Sequence, residues 1–336
     1  MTDENREFEV MLTGLTGGNL LAFLAALGTF RVLSLALPTE RIRMSWRLSG
    51  GAWRPVIYAK ASLIDSALVE GLAKYMEPFR DDPAAHPALL WHYWVPRPTW
   101  NRLANKPGRA DSRLWGGWLE TGDKVSSVFS SVQEQCDCET RNHSDWLAAI
   151  GTEMALADGE DTDSALRAPR ADYFVGNLAS IITTAERRHV ENALFKPWTY
   201  DDPMDNLSLK FDASEDRRRA LQWAAPSGDP DRKKRGNVLG ANRLAIEAVP
   251  LFPSTIEASH LVTSGFTGRR STRDFTWGLW NAPVSLDTVR SILTLPGLFE
   301  GSPNTAELKE IGISAVYRSR RETIGKTRIF TRAFPK

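Results

Sequence analysis

Apolar residues at two different spacings predict the elements of the first part of the chain. The run NLLAFLAALGTFRVLSLAL, from Asn19 to Leu37, is apolar on all sides, and it predicts a buried helix capped by Asn19. This run contains Arg31 and is only marginally long enough for a membrane span. The runs RIRMSWRL and AWRPVIYA flank a Ser-Gly-Gly turn and predict a β-hairpin. Helical spacing from Ala61 to about Glu77 predicts a second helix that ends at Pro78.

The second half of the chain alternates between the same two spacings. Asp172 to Trp198 predicts helix, NLSLKFD predicts a strand, and ANRLAIEAV predicts a further helix. The strands SHLVTSGFT and DFTWGLW follow, joined by the cationic turn GRRSTR. Ser285 caps a helix through LDTVRSILTL, AELKEIG predicts a short helix, and the chain closes with a hairpin that turns at Gly325.

These patterns together predict an α+β fold of helices mixed with antiparallel hairpins or sheets, arranged in two lobes. We expect residues 1–130 to form a helix–hairpin–helix lobe with a tryptophan-rich loop. Residues 131–206 are expected to be mainly helical and acidic, and residues 207–336 to form an α+β module with a basic terminal hairpin.

Composition agrees with a globular protein. The 336 residues are 42% hydrophobic and 25% charged, which suffices for a sizeable core. The first ten residues are acidic and polar, and no A-x-A-like cleavage site follows the apolar run, so the sequence predicts a cytoplasmic protein with no membrane partner. The formal net charge of +1 hides an acidic stretch, from Glu134 to Asp163, and several basic ones.

Motifs for metal, nucleotide or catalytic chemistry are incomplete. Cys136, Cys138 and His143 do not make a closed tetrahedral set, which favours free thiols over a zinc site. The turn TGLTGGN lacks the lysine of a phosphate loop and is explained by helix initiation. The histidines are scattered and no G-x-S-x-G elbow occurs. The sequence therefore predicts a protein that is not an enzyme and has no metal and no cofactor.

Residues 91–118 combine tryptophans with arginines and a lysine, in a region that predicts loops or short strands. Indoles that accept stacked bases, beside cations that neutralise phosphate, are typical of a nucleic-acid groove. The same composition is typical of core indoles with solvated cations, or of a protein interface. The sequence leaves these interpretations open.

Clusters of cations nominate a nucleic-acid-binding surface. The candidate residues lie in a flexible loop that brackets a Pro, Ser and Gly turn, in the turn GRRSTR, and in the terminal hairpin. They are Arg217, Arg218, Arg232, Lys233, Lys234, Arg235, Arg269, Arg270, Arg318, Arg320, Arg321, Lys326 and Arg328. A solvated linker is the alternative interpretation of the flexible loop.

Strand periodicity in the terminal hairpin predicts which of these cations share a face. With a period of two, Arg318 and Arg320 point to the side opposite Tyr317, and Arg328 shares a face with Phe330. Two adjacent strands of this kind would present a basic face bearing aromatic rings, as a phosphate-tracking platform does. We expect Arg318, Arg320 and Arg328 to share an exposed face.

Several strings of the chain resemble one family. NLLAFLAALGTFRVL, DASEDRRRALQWAAPSGDP, GANRLAIEAVPLFP, DFTWGLWNAPVSLDTVRSIL and GISAVYRSRRETIGKTRIFT look like proteins of CRISPR type I-G loci, formerly called type I-U, related to the effector large subunit or to the extension of the helicase-nuclease. The chain departs from that family at Ile329, where members carry Asn before the final Phe. The resemblance covers the first helix and most of Leu207 to Thr331.

The resemblance implies a subunit or accessory of an RNA-guided interference complex that handles guide RNA or target DNA without chemistry of its own. It points to Arg217, Arg218, Arg318, Arg320 and Arg321 as contacts, with other CRISPR-associated subunits as partners. A protein–protein adaptor of the same kind of assembly is the alternative, in which tryptophans form interface hot spots and arginines pair with an acidic partner. A nuclease is a third, less favoured, reading.

Overall fold

The computed structural model describes most of the chain outside the tryptophan-rich and acidic regions. The described residues are 8–60, 65–92, 134, 136, 141–150, 165–166, 171–203, 207–214, 236–257, 260–269, 272–301, 303–324 and 327–336. Their helices and antiparallel sheets confirm the predicted α+β class.

The helices of the described residues lie between the first and the last strand of the chain. They are α1 (Leu20–Ala36), α2 (Asp65–Asp81), α3 (Pro87–His92), α4 (Arg141–Ile150), α5 (Ala171–Thr184), α6 (Arg187–Phe195), α7 (Leu239–Ala248), α8 (Leu286–Leu293) and α9 (Thr305–Glu310). The predicted caps are present, because the Asn19 side chain accepts from the Ala22 N–H at 3.0 Å and the Ser285 hydroxyl accepts from the Thr288 N–H at 3.3 Å.

Strands of the described residues form three antiparallel sheets. The strands are β1 (Phe8–Met11), β2 (Arg43–Ser49), β3 (Ala52–Ala59), β4 (Ser254–Glu257), β5 (His260–Thr263), β6 (Phe266–Arg269), β7 (Thr272–Trp280), β8 (Ile313–Ile324), β9 (Thr327–Phe330) and β10 (Phe334–Pro335). The first sheet has the order β1-β3-β2, and the terminal sheet has the order β10-β8-β7-β6 with β9 also paired to β8. Strands β4 and β5 pair with each other.

The predicted first hairpin is present, with a turn that its two glycines explain. Ser49 pairs with Ala52, so Gly50 and Gly51 form a two-residue loop with φ of 58° and 76°. Two positive φ values in succession define the hairpin turn whose twist matches that of the flanking strands, and glycine adopts them without strain.

Helix α1 lies at the centre of the core because it is apolar on every side. Its Phe23 stacks on Trp46 of β2 and on Trp277 of β7, with ring centroids 5.9 Å and 5.3 Å away. Its Gly28 lies against the backbone of α7. One hydrophobic cluster thus contains residues from all three predicted segments. The division of the chain at residues 130 and 206 stays a prediction.

Three predicted elements are present with different bounds or divisions. Helix α2 continues through Pro78 to Asp81, and its predicted first residues, 61–64, lie outside the described residues. The helical stretch after Asp172 is two helices, separated at Ala185 and Glu186. The predicted strand SHLVTSGFT is a pair of strands, β5 and β6.

The predicted strand NLSLKFD is wrong over its described part, residues 207–212, which contain no strand. Asparagine side chains bond the backbone there in place of a neighbouring strand. Asn177 and Asn237 donate to the carbonyls of Ser208 and Leu207, and Asn242 accepts from the Leu209 N–H at 2.8 Å. Buried backbone polar groups require partners, and here side chains supply them.

None of the described helices combines the length and the apolar character that crossing a bilayer requires.

Candidate nucleic-acid interface

Only part of the predicted cationic surface falls on described residues. Outside them lie Arg217, Arg218, Arg232, Lys233, Lys234, Arg235, Arg270 and Lys326, together with residues 93–118 of the tryptophan-rich region. Arg269 is the last residue of β6 and pairs with Thr272. The predicted exposure of Arg318, Arg320, Arg321 and Arg328 can therefore be compared with their positions in the terminal sheet.

The two faces of the terminal sheet differ in what covers them. Paired residues on neighbouring strands share a face, so Trp277 and Tyr317 lie together, with ring centroids 5.9 Å apart. Trp277 also stacks on Phe23 of α1. This inner face belongs to the core, where burial raises the pKa of Tyr317. The outer face carries Asp274, Thr276, Arg318 and Arg320.

Arg318 lies on the outer face but is buried, so the expectation of an exposed side chain is wrong at this position. Only 7% of the residue is accessible. Its Nε donates to the Thr276 hydroxyl at 3.0 Å, and its Nη2 donates to the Glu300 carbonyl at 2.9 Å. The guanidinium thereby joins β7, β8 and the segment that follows the 3-10 turn Pro296–Leu298.

Arg321 lies on the inner face and is also buried. It pairs across the strands with Arg273 and with Phe330. Its Nη1 donates to the Ala165 carbonyl at 2.8 Å, and the Ala165 N–H donates to the Thr263 hydroxyl at 2.9 Å. Arg321 therefore links the terminal sheet to the rest of the core instead of facing solvent.

Arg328 does not share a face with Arg320, so that part of the prediction is wrong. Phe330 of β9 pairs with Arg321 of β8 and is buried on the inner face. Arg328 lies two residues before Phe330 and therefore takes the same face, whereas Arg320 points to the opposite one. Arg328 shares its face with Phe330, as predicted, and is half-buried.

Arg320 is the predicted cation that the outer face does expose. Its side chain is 48% accessible, and its Nε donates to Asp274 Oδ1 at 2.9 Å. The hydrogen bond to Asp274 raises the pKa of Arg320 further. An exposed ion pair of this kind contributes little to stability and leaves the other guanidinium nitrogens directed to solvent.

Two residues that were not among the candidates lie on the same face. Phe334 of β10 pairs with Arg318 of β8 and is 41% exposed. Lys336 Nζ lies 5.5 Å from the centroid of the Phe334 ring, and the Lys336 N–H donates to the Val316 carbonyl at 2.9 Å. Arg320, Phe334 and Lys336 form what we call the outer-face triad. Period-two alternation in RAFPK was the signal in the sequence.

The glycine-rich turn before α1 serves close packing. Trp277 Nε1 donates to the Gly17 carbonyl at 2.9 Å. A Cβ on Gly17 would come within 2.4 Å of a Leu279 methyl group, and one on Gly14 would come within 2.4 Å of the Ala193 carbonyl oxygen. Helix initiation and tight contacts thus explain the turn, as the missing phosphate-loop residues indicated.

A cluster of charged residues in the core was not found from the sequence. Glu247 of α7 is fully buried, and its Oε1 accepts from His86 Nε2 at 2.8 Å and from Arg243 Nη1 at 2.7 Å. Its Oε2 accepts from Arg31 Nη1 at 3.2 Å and lies 3.5 Å from the Tyr75 hydroxyl. We call Arg31, His86, Arg243 and Glu247 the buried cluster. Its signals were Arg31 within an apolar run and the i,i+4 spacing of Arg243 and Glu247.

Burial and charge act in opposite directions on the carboxyl group of Glu247. Burial alone raises its pKa, but the two guanidinium groups and the hydrogen bond from His86 outweigh burial and hold the pKa well below its ordinary value. Burial lowers the pKa of His86, whose Nδ1 accepts from the Ala88 N–H at 3.1 Å. His86 is therefore neutral, with its proton on Nε2. Burial also raises the pKa of Tyr75, to about 12.

Metal-ligating residues do not converge within the described part of the chain. No group of three or more His, Cys, Asp or Glu side chains that could hold a metal ion occurs among these residues. Cys136 is exposed and has a free thiol, while Cys138 lies outside the described residues.

Comparisons with protein-family models, with curated proteins and with solved structures found no match to this chain.

Proposed function

We propose that this protein is a nucleic-acid-binding subunit or accessory of a CRISPR type I-G interference complex, and that the outer-face triad contacts guide RNA or target DNA. The observation that carries the proposal is that the side chains of Arg320, Phe334 and Lys336 are exposed on the outer face of the terminal sheet. The family likeness of GISAVYRSRRETIGKTRIFT supports it, because this string forms β8 and β9.

Chemistry favours a single-stranded ligand for this face. Cations neutralise phosphate, and an exposed aromatic ring beside them accepts a stacked base. The Arg320 guanidinium keeps donors free beyond the one bonded to Asp274. The proposal assigns binding and no reaction to this face, because a ring and two cations supply contacts without a nucleophile or a general base.

Binding of labelled single-stranded RNA and DNA, measured by fluorescence anisotropy between about 50 and 200 mM salt, tests the proposal. We expect the double variant Arg320→Gln/Lys336→Gln to weaken binding and to lower the log–log salt slope by about two, one for each phosphate contact. We expect Phe334→Ala to cost about 1–3 kcal/mol of binding free energy for a stacked base.

A matched control removes two cations elsewhere. Lys60→Gln/Lys74→Gln makes the same charge change at two exposed positions and should leave the slope unchanged. An equal loss in both double variants would contradict a specific role of the outer-face triad. If the wild-type protein binds neither nucleic acid but Phe334→Ala loses a protein partner, the adaptor function replaces this proposal.

A further inference from the structure

The buried cluster contains more positive than negative charge. Arg31 and Arg243 each contribute a guanidinium cation, whereas Glu247 supplies one negative charge and His86 is neutral. Asp145 of α4, the helix whose Asn142 accepts from Arg31, bonds Arg290 at 2.6 Å. Among the described residues, Glu247 is the carboxylate that both buried guanidinium groups share. One positive charge of the cluster therefore has no carboxylate partner among the described residues.

Hydrogen bonding in the cluster shows the same imbalance. Arg31 Nε, Arg243 Nη2 and Trp146 Nε1 are buried N–H groups without an acceptor among the described residues. Arg31 and Arg243 are each 1% exposed, and Trp146 lies beneath the Arg31 guanidinium, 5.6 Å from its ring centroid. Every unpaired atom named here is a donor, and buried donors without acceptors are rare in native proteins. The unpaired donors and the excess positive charge together indicate a negatively charged acceptor.

The aromatic surroundings of the cluster favour an acceptor that carries a single negative charge. Tyr75, Phe79, His86 and Trp146 form a chain of edge-on ring contacts beside the cluster, with centroid separations of 4.8 to 5.7 Å. Charges in such apolar surroundings interact strongly. Ring edges carry partial positive charge, which suits an anion. A single excess charge matches a monovalent anion, whereas sulfate or phosphate would overcompensate it.

We propose that the buried cluster binds one small monovalent anion of the chloride class, held by Arg243 Nη2 with Arg31 and Trp146. The anion neutralises the core and stabilises the packing of α1, α2, α4 and α7, which carry most of the residues around it, against the turn at His86. This site is separate from the outer-face triad, so neither proposal depends on the other.

Thermal unfolding in chloride or bromide, against fluoride at equal ionic strength, tests the site. Ligand binding to the folded state raises the melting temperature with a saturable dependence on concentration, and we expect roughly 2–4 °C for the wild type. Arg243→Met removes the excess charge and should abolish the saturable rise. Arg47→Met, at an exposed arginine paired with Glu9, should retain it.

A crystal soaked in bromide gives a direct readout that does not require the Arg243→Met protein to fold. An anomalous peak within hydrogen-bond distance of Arg243 Nη2 supports the site. Two results together would overturn the proposed anion site. The cluster would show no such peak, and the melting temperatures of wild type and Arg47→Met would change equally and linearly with every salt. Water would then be the acceptor.

Discussion

Glu247 illustrates at the scale of one residue how a core tolerates charge. Its two oxygens accept from His86, Arg243 and Arg31. Removing one member of a buried ion pair leaves the others desolvated and unpaired, which costs about 3–5 kcal/mol in comparable proteins. The cluster consequently favours the one arrangement of α1 and α7 in which Glu247 pairs with both Arg31 and Arg243.

The histidine of this cluster makes folding depend on pH. Burial lowers the pKa of His86 from its ordinary 6.5. Between the two values the unfolded state binds more protons than the folded state, so stability rises with pH there and is lost as pH falls below about 6.5. We expect the free energy of unfolding, measured in urea, to decrease by at most about 1.4 kcal/mol per pH unit from this group.

A glutamine at this position separates His86 from the other titrating groups. His86→Gln keeps an N–H that can donate to Glu247 but does not titrate, so the decline below pH 6.5 should flatten in the variant. The difference between the two proteins isolates His86. Parallel curves down to pH 4.5, where Glu247 and other carboxyl groups enter, would show that His86 does not contribute.

At the scale of elements, the crossing of α1 and α7 depends on one glycine. A Cβ on Gly28 would lie 1.8 Å from the Leu244 carbonyl oxygen, which is backbone and cannot rotate away. Gly28→Ala must therefore separate the two helices. We expect it to destabilise the protein by about 1–3 kcal/mol, the usual cost of overpacking a core, or to prevent folding.

Gly176 provides the matched control for Gly28. It lies in α5, is exposed, and has nothing within 4 Å of the position of an added Cβ. Gly176→Ala should raise stability by about 0.4–1 kcal/mol, because alanine lowers the entropy of the unfolded chain and favours helix. Urea unfolding of both variants checks the pair, and similar effects of the two substitutions would contradict the close crossing.

Local patterns in the sequence predicted the elements better than their contacts. Asn19, Ser285 and the glycines of the first hairpin act on their own neighbours, and each was predicted correctly. The segment after Leu207 was predicted wrongly because it alternates like a strand while asparagines on other elements satisfy its backbone. Such partners are distant in sequence, and no local periodicity reveals them.

The candidate site shows the same limit. Strand periodicity predicted that Arg318 and Arg320 share a face, and the register confirms it. Burial of Arg318 depends on Glu300, which arrives from a different part of the chain. The cluster around Glu247 joins residues up to 216 positions apart, and its members are individually ordinary in the sequence.

At the scale of the whole molecule, formal charge is a poor guide to the surface. Several arginines that contribute to the formal charge are buried, namely Arg31, Arg243, Arg273, Arg318 and Arg321. Their guanidinium groups donate to carbonyl oxygens, hydroxyl groups and one carboxylate. These bonds hold helices and strands that are distant in the sequence in their relative positions. Arginine is suited to this task because its donors point in fixed directions.

Arg318 and Arg320 lie on one face, two residues apart, but only Arg320 is exposed. Substituting each in turn should therefore distinguish an effect on stability from an effect on RNA binding. Arg318→Met leaves the Thr276 hydroxyl and the Glu300 carbonyl without their donor, and we expect a loss of about 1–3 kcal/mol in stability and a lower melting temperature. Arg320→Met removes only an exposed pair and should keep the melting temperature while weakening RNA binding. Melting curves and fluorescence anisotropy on both variants test this prediction. An Arg318→Met protein that keeps its melting temperature but loses RNA binding would contradict it. Arg318 would then be a phosphate contact that becomes exposed when nucleic acid binds.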